Sequence, residues 1–198
     1  MKDLKTPEAD IRFKNLLLEK RSILLKKWFQ LILETYPADT MRFLKDQKNK
    51  FSNPVGHTIR KGIEGIFEEL TNEMDSERVS TFLDNIIRIR AIQDFSPSRA
   101  ISFVFLLKKV IREELESEIL ENKLSDELLK FESKIDDLAL LSFDIYMKCR
   151  ERIYELKANE LKNMYYRLLQ KANLIYEIQE EKQEEKSDSK DSNIVNLK

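Results

Sequence analysis

Side chains that could perform catalytic or metal chemistry are few in this 198-residue chain, which has one histidine, His57, and one cysteine, Cys149. A zinc site needs several nitrogen or sulfur ligands. A helical di-iron site needs two Glu-x-x-His pairs, which a single histidine cannot supply. No glycine-rich phosphate loop and no identifiable Ser-His-Asp set is present. We therefore expect no enzymatic activity, no metal and no cofactor.

His57 leaves one alternative open, because a single histidine on a helix is the minimum that a haem protein requires. It lies in the first turn after Pro54, so we expect a capping or hydrogen-bonding histidine. The alternative is tetrapyrrole or small-molecule binding, with Gly62 and Gly65 leaving room for the ligand. Cys149 lies in an apolar helical pattern, which favours a buried, unreactive thiol over a redox sensor.

The stretch RAIQDFSPSRAISFVFLLKK, residues 90–109, contains a second candidate site at a predicted corner between two helices. Ser96 is the expected N-cap of a helix that begins at Pro97, and Phe95 is placed to act as a hydrophobic staple. Arg90 precedes Asp94 by four residues, so the two can pair on an exposed helix face.

Two interpretations of this corner remain open. Ser98 and Arg99 place donors at a positive helix end, which suits an anion or an acidic group of a partner. Alternatively, the polar residues only satisfy backbone groups of the corner. The candidate residues for binding a partner or ligand, in the corner and around His57, are Asn53, His57, Arg90, Gln93, Asp94, Ser96, Ser98 and Arg99.

The composition predicts an all-α fold. Hydrophobic residues make up 41% of the chain and charged residues 36%, which suits helices with one buried and one solvated face. The chain has three glycines and four prolines, and neither residue occurs after Pro97. Hairpins and sheets usually need more of both residues for their turns. Periodicity and cap signals predict about six helices: Glu8 to Thr35, a short helix with Met41, Leu44 and Phe51 inside, one capped by Asn53, Ser76 to Asp94, one from Pro97, and one from Ser125.

The last helical pattern runs from Ser125 to about Ile178, which is longer than an ordinary globular helix. It either breaks near Lys157 to Lys162 or extends past the core as a pairing surface. We expect a single domain over residues 1–178 and a charged, disordered tail over residues 179–198.

Charge and hydropathy restrict the partners. The 35 basic and 36 acidic residues give a net charge of −1 and no reason to expect nucleic acid. Residues 1–50 carry 12 basic and 7 acidic groups. This excess of positive charge indicates either a solvated helix face or a weak contact with an acidic partner or a membrane surface. No apolar run approaches the ~20 residues needed to span a bilayer, and no signal peptide is evident, so we expect a cytoplasmic protein.

Three motifs carry a family resemblance: WFQLILETYP (28–37), FSNPVGHTIRKGI (51–63) and IIRIRAIQDFSPSRAISFVFLLKKVI (86–111). Together they resemble the N-terminal domain of RsbRD-type proteins, relatives of the RsbR co-antagonists of the bacterial stressosome, over roughly residues 16–164. The resemblance implies an all-helical sensor module similar to a globin without haem, usually dimeric and N-terminal to a STAS domain. No STAS domain follows in this sequence.

The resulting hypothesis is a non-catalytic regulatory or sensor protein. It would act as a homodimer, with another regulatory or respiratory protein as its partner, in bacterial stress or respiratory signalling. The alternatives are a small-molecule or tetrapyrrole-binding helical protein and an accessory factor that docks on a respiratory complex through its basic N-terminal helix.

Overall fold

The computed structural model describes residues 7–45, 53–93 and 95–171 of the chain. Within those ranges there are seven α-helices and no strand, which confirms the all-α, globin-like bundle with a long C-terminal helix. The helices are α1 (Pro7–Glu19), α2 (Arg21–Glu34), α3 (Ala38–Lys45), α4 (Pro54–Thr71), α5 (Ser76–Ile92), α6 (Pro97–Glu121) and α7 (Ser125–Lys171).

The single first helix predicted from Glu8 to Thr35 is wrong, because it divides at Lys20. The backbone of Lys20 leaves the helical region, with φ −88° and ψ 4°. Its amide still donates to the Leu16 carbonyl at 3.1 Å, and its own carbonyl accepts from the Leu24 amide at 3.0 Å. The hydrogen-bond ladder therefore continues through the bend. The core-facing residues Leu17 on α1 and Leu24 on α2 are both buried.

The predicted cap at Asn53 is confirmed and has a wider role than a cap. Its side-chain oxygen accepts from the Gly56 amide at 2.8 Å, as an N-cap should. Its side-chain nitrogen donates to the carbonyls of Leu44 at 2.8 Å and Phe43 at 3.2 Å. Asn53 therefore joins the start of α4 to the end of α3. Phe51, the third predicted inner residue of that short helix, lies outside the described residues.

The glycines in the interior of α4 are explained by close packing of α5. A Cβ on Gly62 would lie 2.6 Å from Ile86 Cδ1, and one on Gly65 would lie 2.5 Å from Phe82 Cζ. Both distances are shorter than real carbon–carbon contacts, so a helix of ordinary residues could not approach as closely. The space beside these glycines is filled by α5 side chains instead of being left for a ligand.

The core is anchored by Trp28, which is fully buried and donates from Nε1 to the Phe103 carbonyl at 2.7 Å. A buried indole N–H needs such a partner, and this bond ties α2 to α6. The inner faces of α4 and α5 are apolar, with these residues buried: Ile59, Ile63, Ile66, Phe67, Leu70, Val79, Leu83, Ile86 and Ile87.

Helices α6 and α7 run antiparallel. Arg112 binds Glu132 through two hydrogen bonds, of 2.5 and 2.7 Å, and Lys108 binds Asp136 at 2.6 Å. Arg112 follows Lys108 in α6, whereas its partner Glu132 precedes Asp136 in α7. The two side-chain pairs therefore fix both the antiparallel direction and the register of the helices. Glu132 is only 5% exposed, so its bidentate arginine supplies a counter-charge that a buried carboxylate requires.

Helix α7 continues without a break through Lys157 to Lys162, so the break predicted there as one alternative is absent. The chain divides into two compact units, residues 1–153 and residues 154–198. In the second unit the described residues, 154–171, form one helical segment whose side chains are all exposed. In the described part of the chain no helix is both long enough and apolar enough to cross a membrane.

We expect Gly65→Ala to lower the free energy of unfolding by about 1 to 2 kcal/mol, because overpacking outweighs the gain in helix propensity. In a Phe82→Ala background the clash is removed, and the same substitution should instead stabilise the protein by up to about 1 kcal/mol. Urea unfolding followed by circular dichroism measures both. An equal effect of Gly65→Ala in the two backgrounds would contradict the packing explanation.

Candidate functional site

The corner between α5 and α6 is organised around a buried guanidinium. Arg90 is 0% exposed, although the sequence predicted it on an exposed helix face, and that placement is wrong. Its Nη1 donates to the carbonyls of Arg99 at 2.8 Å and Ala100 at 3.3 Å. Its Nη2 donates to the Thr35 hydroxyl at 2.7 Å. Arg90 therefore links the end of α2 to the first turn of α6. Asp94, the predicted partner, lies outside the described residues.

Aromatic rings take the place of a counter-ion around this guanidinium. Its carbon atom lies 4.9 Å from the ring centre of Phe95, 5.3 Å from that of Tyr36 and 5.4 Å from that of Phe103. Among the described residues no carboxylate lies within ion-pair distance of Arg90. Burial accordingly lowers the pKa of the Arg90 guanidinium. Burial also raises the pKa of the Tyr36 phenol, and the charge of Arg90 opposes that rise.

The other predicted corner residues lie on the exposed side. Arg99 is exposed, donates from Nη2 to the Thr35 carbonyl at 2.9 Å and lies 5.2 Å from the Phe95 ring centre. Ser96 takes the N-cap position but makes no side-chain cap bond; its hydroxyl is 3.4 Å from that of Ser98. Gln93 is exposed at the C-cap of α5. These side chains form a rim above the buried arginine.

Two further contacts close the corner against α7. The Tyr146 hydroxyl donates to the Phe95 carbonyl at 2.6 Å, and Arg150 donates to the Ala91 carbonyl at 3.2 Å. The Phe95 ring packs edge-on against Tyr36, with centroids 5.1 Å apart. The corner thus joins α2, α5, α6 and α7. Its side-chain donors bind mainly backbone carbonyls and also the Thr35 hydroxyl, while Arg90 Nε is buried without a hydrogen-bond partner among the described residues. Bonds of this kind are those of a structural junction.

The remaining candidates lie apart from this corner on α4. Asn53 is buried in the cap described above, and the His57 side chain is half-buried in the first turn. The described residues contain no cluster of three or more His, Cys, Asp or Glu that could hold a metal. Cys149 is half-buried, and burial raises the pKa of its thiol, which favours the unreactive form.

An exposed apolar surface lies on the antiparallel pair α6 and α7. We call it the α6–α7 face, defined by Phe105, Leu140, Phe143 and Met147, which are 43%, 69%, 42% and 38% exposed. Phe105 and Leu140 each lie about one turn from the Lys108–Asp136 pair, in the same direction along the bundle. Phe143 and Met147 continue the line along α7 at helical spacing.

Four residues of the corner around Arg90 were not predicted from the sequence, namely Thr35, Tyr36, Phe103 and Tyr146. A signal for two of them was present in the motif WFQLILETYP, where a threonine and a tyrosine precede a helix-ending proline. The sequence also missed that Phe105, in a helix stretch apolar nearly all round, faces outward. The signal for the α6–α7 face was the apolar excess in residues 100–107.

The fold defines an all-α bundle domain. Residues 23–161 match the family described as the RsbT co-antagonist protein rsbRD N-terminal domain, and the chain belongs to this family of stressosome-related regulatory domains. This confirms the resemblance.

A protein of Archaeoglobus fulgidus, described as an uncharacterized protein, is 33% identical over 89 residues. The match covers 44% of this chain and 55% of that protein, so the chain spans about half the length of this relative. No solved structure gives a significant match.

We expect Arg90→Ala to lower the free energy of unfolding by about 3 to 5 kcal/mol, because it leaves a cavity and buried acceptors without donors. Arg90→Met keeps most of the volume and should cost less, since it removes the buried charge as well. Arg99→Ala should cost less than about 1 kcal/mol, because its bond is exposed. Urea unfolding of the three variants checks this order, and equal losses for Arg90→Ala and Arg99→Ala would contradict it.

We also expect no haem site at His57. α5 side chains occupy the room beside Gly62 and Gly65, so added haem should show the same absorption spectrum with the wild-type chain and with His57→Ala. A Soret shift that only the wild type produces would contradict this expectation.

Proposed function

We propose that this protein is a non-catalytic regulatory module that works through protein–protein contact and pairs with a second copy of itself through the α6–α7 face. The family supports the regulatory class, and the exposed apolar face carries the proposal of pairing. The described residues hold no group of three or more His, Cys, Asp or Glu that could bind a metal ion.

The chemistry of the α6–α7 face supports self-association. Single exposed hydrophobic residues are normal on a protein surface, but four large ones on two neighbouring helices indicate an interaction site. A two-fold axis across the face would bring α6 and α7 of one copy against the same helices of another, a four-helix arrangement that is common in helical oligomers. Phe105 and Phe143 are the aromatic side chains that would supply anchors.

The helical segment over residues 154–171 gives separate support. Tyr154, Leu161, Tyr165 and Leu168 recur at spacings of seven, four and three, which places them on one side of the helix. Each is exposed by about half or more of its surface. A helix with an apolar stripe and no burial is stabilised by a partner, and the same stripe on a second copy is the complementary one.

We expect the full chain to sediment as a dimer at about 10 µM, because a specific interface of this kind gives micromolar affinity or better. Leu140→Lys with Phe143→Lys should weaken pairing at least ~100-fold, since burying two unpaired charges opposes association. Sedimentation velocity over a concentration series measures the shift.

The matched control is Ile11→Lys on α1, where the side chain is 57% exposed but lies outside the α6–α7 face. This variant should sediment as the wild type does. A wild-type chain that remains monomeric at all concentrations would overturn the proposal, as would a double variant that still forms the dimer.

A further inference from the structure

A basic groove of about 700 Å³ lies between α2 and α4, with the end of α3 at its rim. We call it the α2–α4 groove. Five of its lining residues are cationic and one is anionic: Arg21, Lys26, Lys27, Lys45 and Arg60 against Glu64. The rest of its lining is Ser22, Ile23, Leu25, Phe29 and Gln30.

Most cations of this groove have no ion-pair partner within the described part of the chain. Lys27 pairs with Glu114 on α6. Arg21, Lys26, Lys45 and Arg60 form no ion pair with any described carboxylate. Elsewhere the exposed cations of this chain are frequently paired, as in Lys20–Glu118, Arg88–Asp84 and Lys130–Asp10. A concave site that concentrates unpaired positive charge in a chain of net charge −1 attracts an anionic occupant.

The floor of the groove is apolar. The Arg60 guanidinium lies over the Phe29 ring, 4.2 Å from its centre, and its Nε atom is buried without a hydrogen-bond partner in the described residues. Ile23 is 42% exposed, and Leu25 is partly buried against the core. The groove therefore combines an apolar floor with a cationic rim, so its occupant must be amphipathic as well as acidic.

We propose that the α2–α4 groove docks an acidic amphipathic helix of a partner protein. The lining of α2 from Arg21 to Gln30 extends about 14 Å, the length of two to three helical turns. Two helices with apolar side chains between them form the kind of groove into which an amphipathic helix lays its apolar face. A small ligand would instead be enclosed over most of its surface, whereas this groove is only partly enclosed. The inference rests on the proposed function and names the chemistry of its partner.

The test uses two labelled peptides of about 14 residues, long enough for the groove, with Leu and Ile at i, i+3 and i+4 spacing. One carries Glu at its flanking positions, and the other carries Lys at the same positions. Fluorescence anisotropy with the full chain should show at least ~10-fold tighter binding of the Glu peptide at about 30 mM NaCl, and much of that difference should disappear at about 300 mM.

The variant that addresses the groove is Arg21→Glu with Lys26→Glu, because both side chains are exposed and neither makes an ion pair with a described residue. We expect it to weaken binding of the Glu peptide at least ~10-fold. The matched control is Arg12→Glu with Lys134→Glu, which makes the same change in net charge at exposed positions on α1 and α7. The control should weaken binding of the Glu peptide clearly less than the groove variant does, because neither of its side chains lines the groove.

Equal binding of the two peptides, or equal weakening by the groove and control variants, would overturn the proposal. Vesicles of phosphatidylglycerol are titrated in parallel. If vesicle binding, and not peptide binding, depends on Arg21 and Lys26, the groove is a lipid-surface site and the proposal is also overturned. Sedimentation of the groove variant should still show the dimer. A failure of the groove proposal can therefore be distinguished from a failure of pairing through the α6–α7 face.

Discussion

The buried guanidinium of Arg90 is the constraint on which the arrangement of the helices depends. A charge removed from water is destabilising unless every donor and the charge itself find favourable contacts. Here two carbonyls of the first turn of α6, a hydroxyl at the end of α2 and three aromatic faces supply most of those contacts, and Arg90 Nε is buried without a hydrogen-bond partner among the described residues. Because these groups come from separate helices, the charge is satisfied only when the helices meet in one relative position. The corner is therefore specified by geometry in a way that an apolar side chain could not achieve.

Helix bounds were largely predictable because local chemistry sets them. Pro37 ends α2, Asn53 caps α4 and Pro97 begins α6, each by an effect that acts within one turn. The bend at Lys20 was not predictable, because neither glycine nor proline marks it and the hydrogen-bond ladder passes through it. It results from tertiary packing, which lets both α1 and α2 bury an apolar stripe. Gly62 and Gly65 suggested room for a ligand in the sequence, but the structure shows α5 side chains packed against both of them.

The candidate site was harder to predict than the fold, because exposure of an arginine is a tertiary property. An arginine four residues before an aspartate indicates a surface pair on average. The sequence carried no sign that Thr35, 55 positions earlier, would supply a hydroxyl to the same side chain. Spacing also predicted a cap at Ser96 and located it correctly, but the side-chain bond that usually accompanies such a cap is absent. Sequence patterns thus placed the corner and misjudged its interior.

The division between interior and surface points to where function lies. Four of the seven buried polar residues in the described ranges (Arg90, Asn53, Glu69 and Glu132) bind groups of neighbouring helices or loops, and such bonds fix a fold without offering chemistry to a substrate. Three buried atoms, on Tyr36, Arg60 and Arg90, lack a hydrogen-bond partner among the described residues, and the other unmet demands lie on the surface. Apolar side chains on the α6–α7 face lack burial, and cations in the α2–α4 groove lack counter-charges. The two surfaces favour different kinds of partner. The exposed apolar area favours a second copy with the same apolar surface, and the unpaired cations favour an acidic partner. A regulatory module needs both a means of pairing and a separate means of choosing its partner. The proposed pairing and the proposed choice of partner use surfaces formed by different helices.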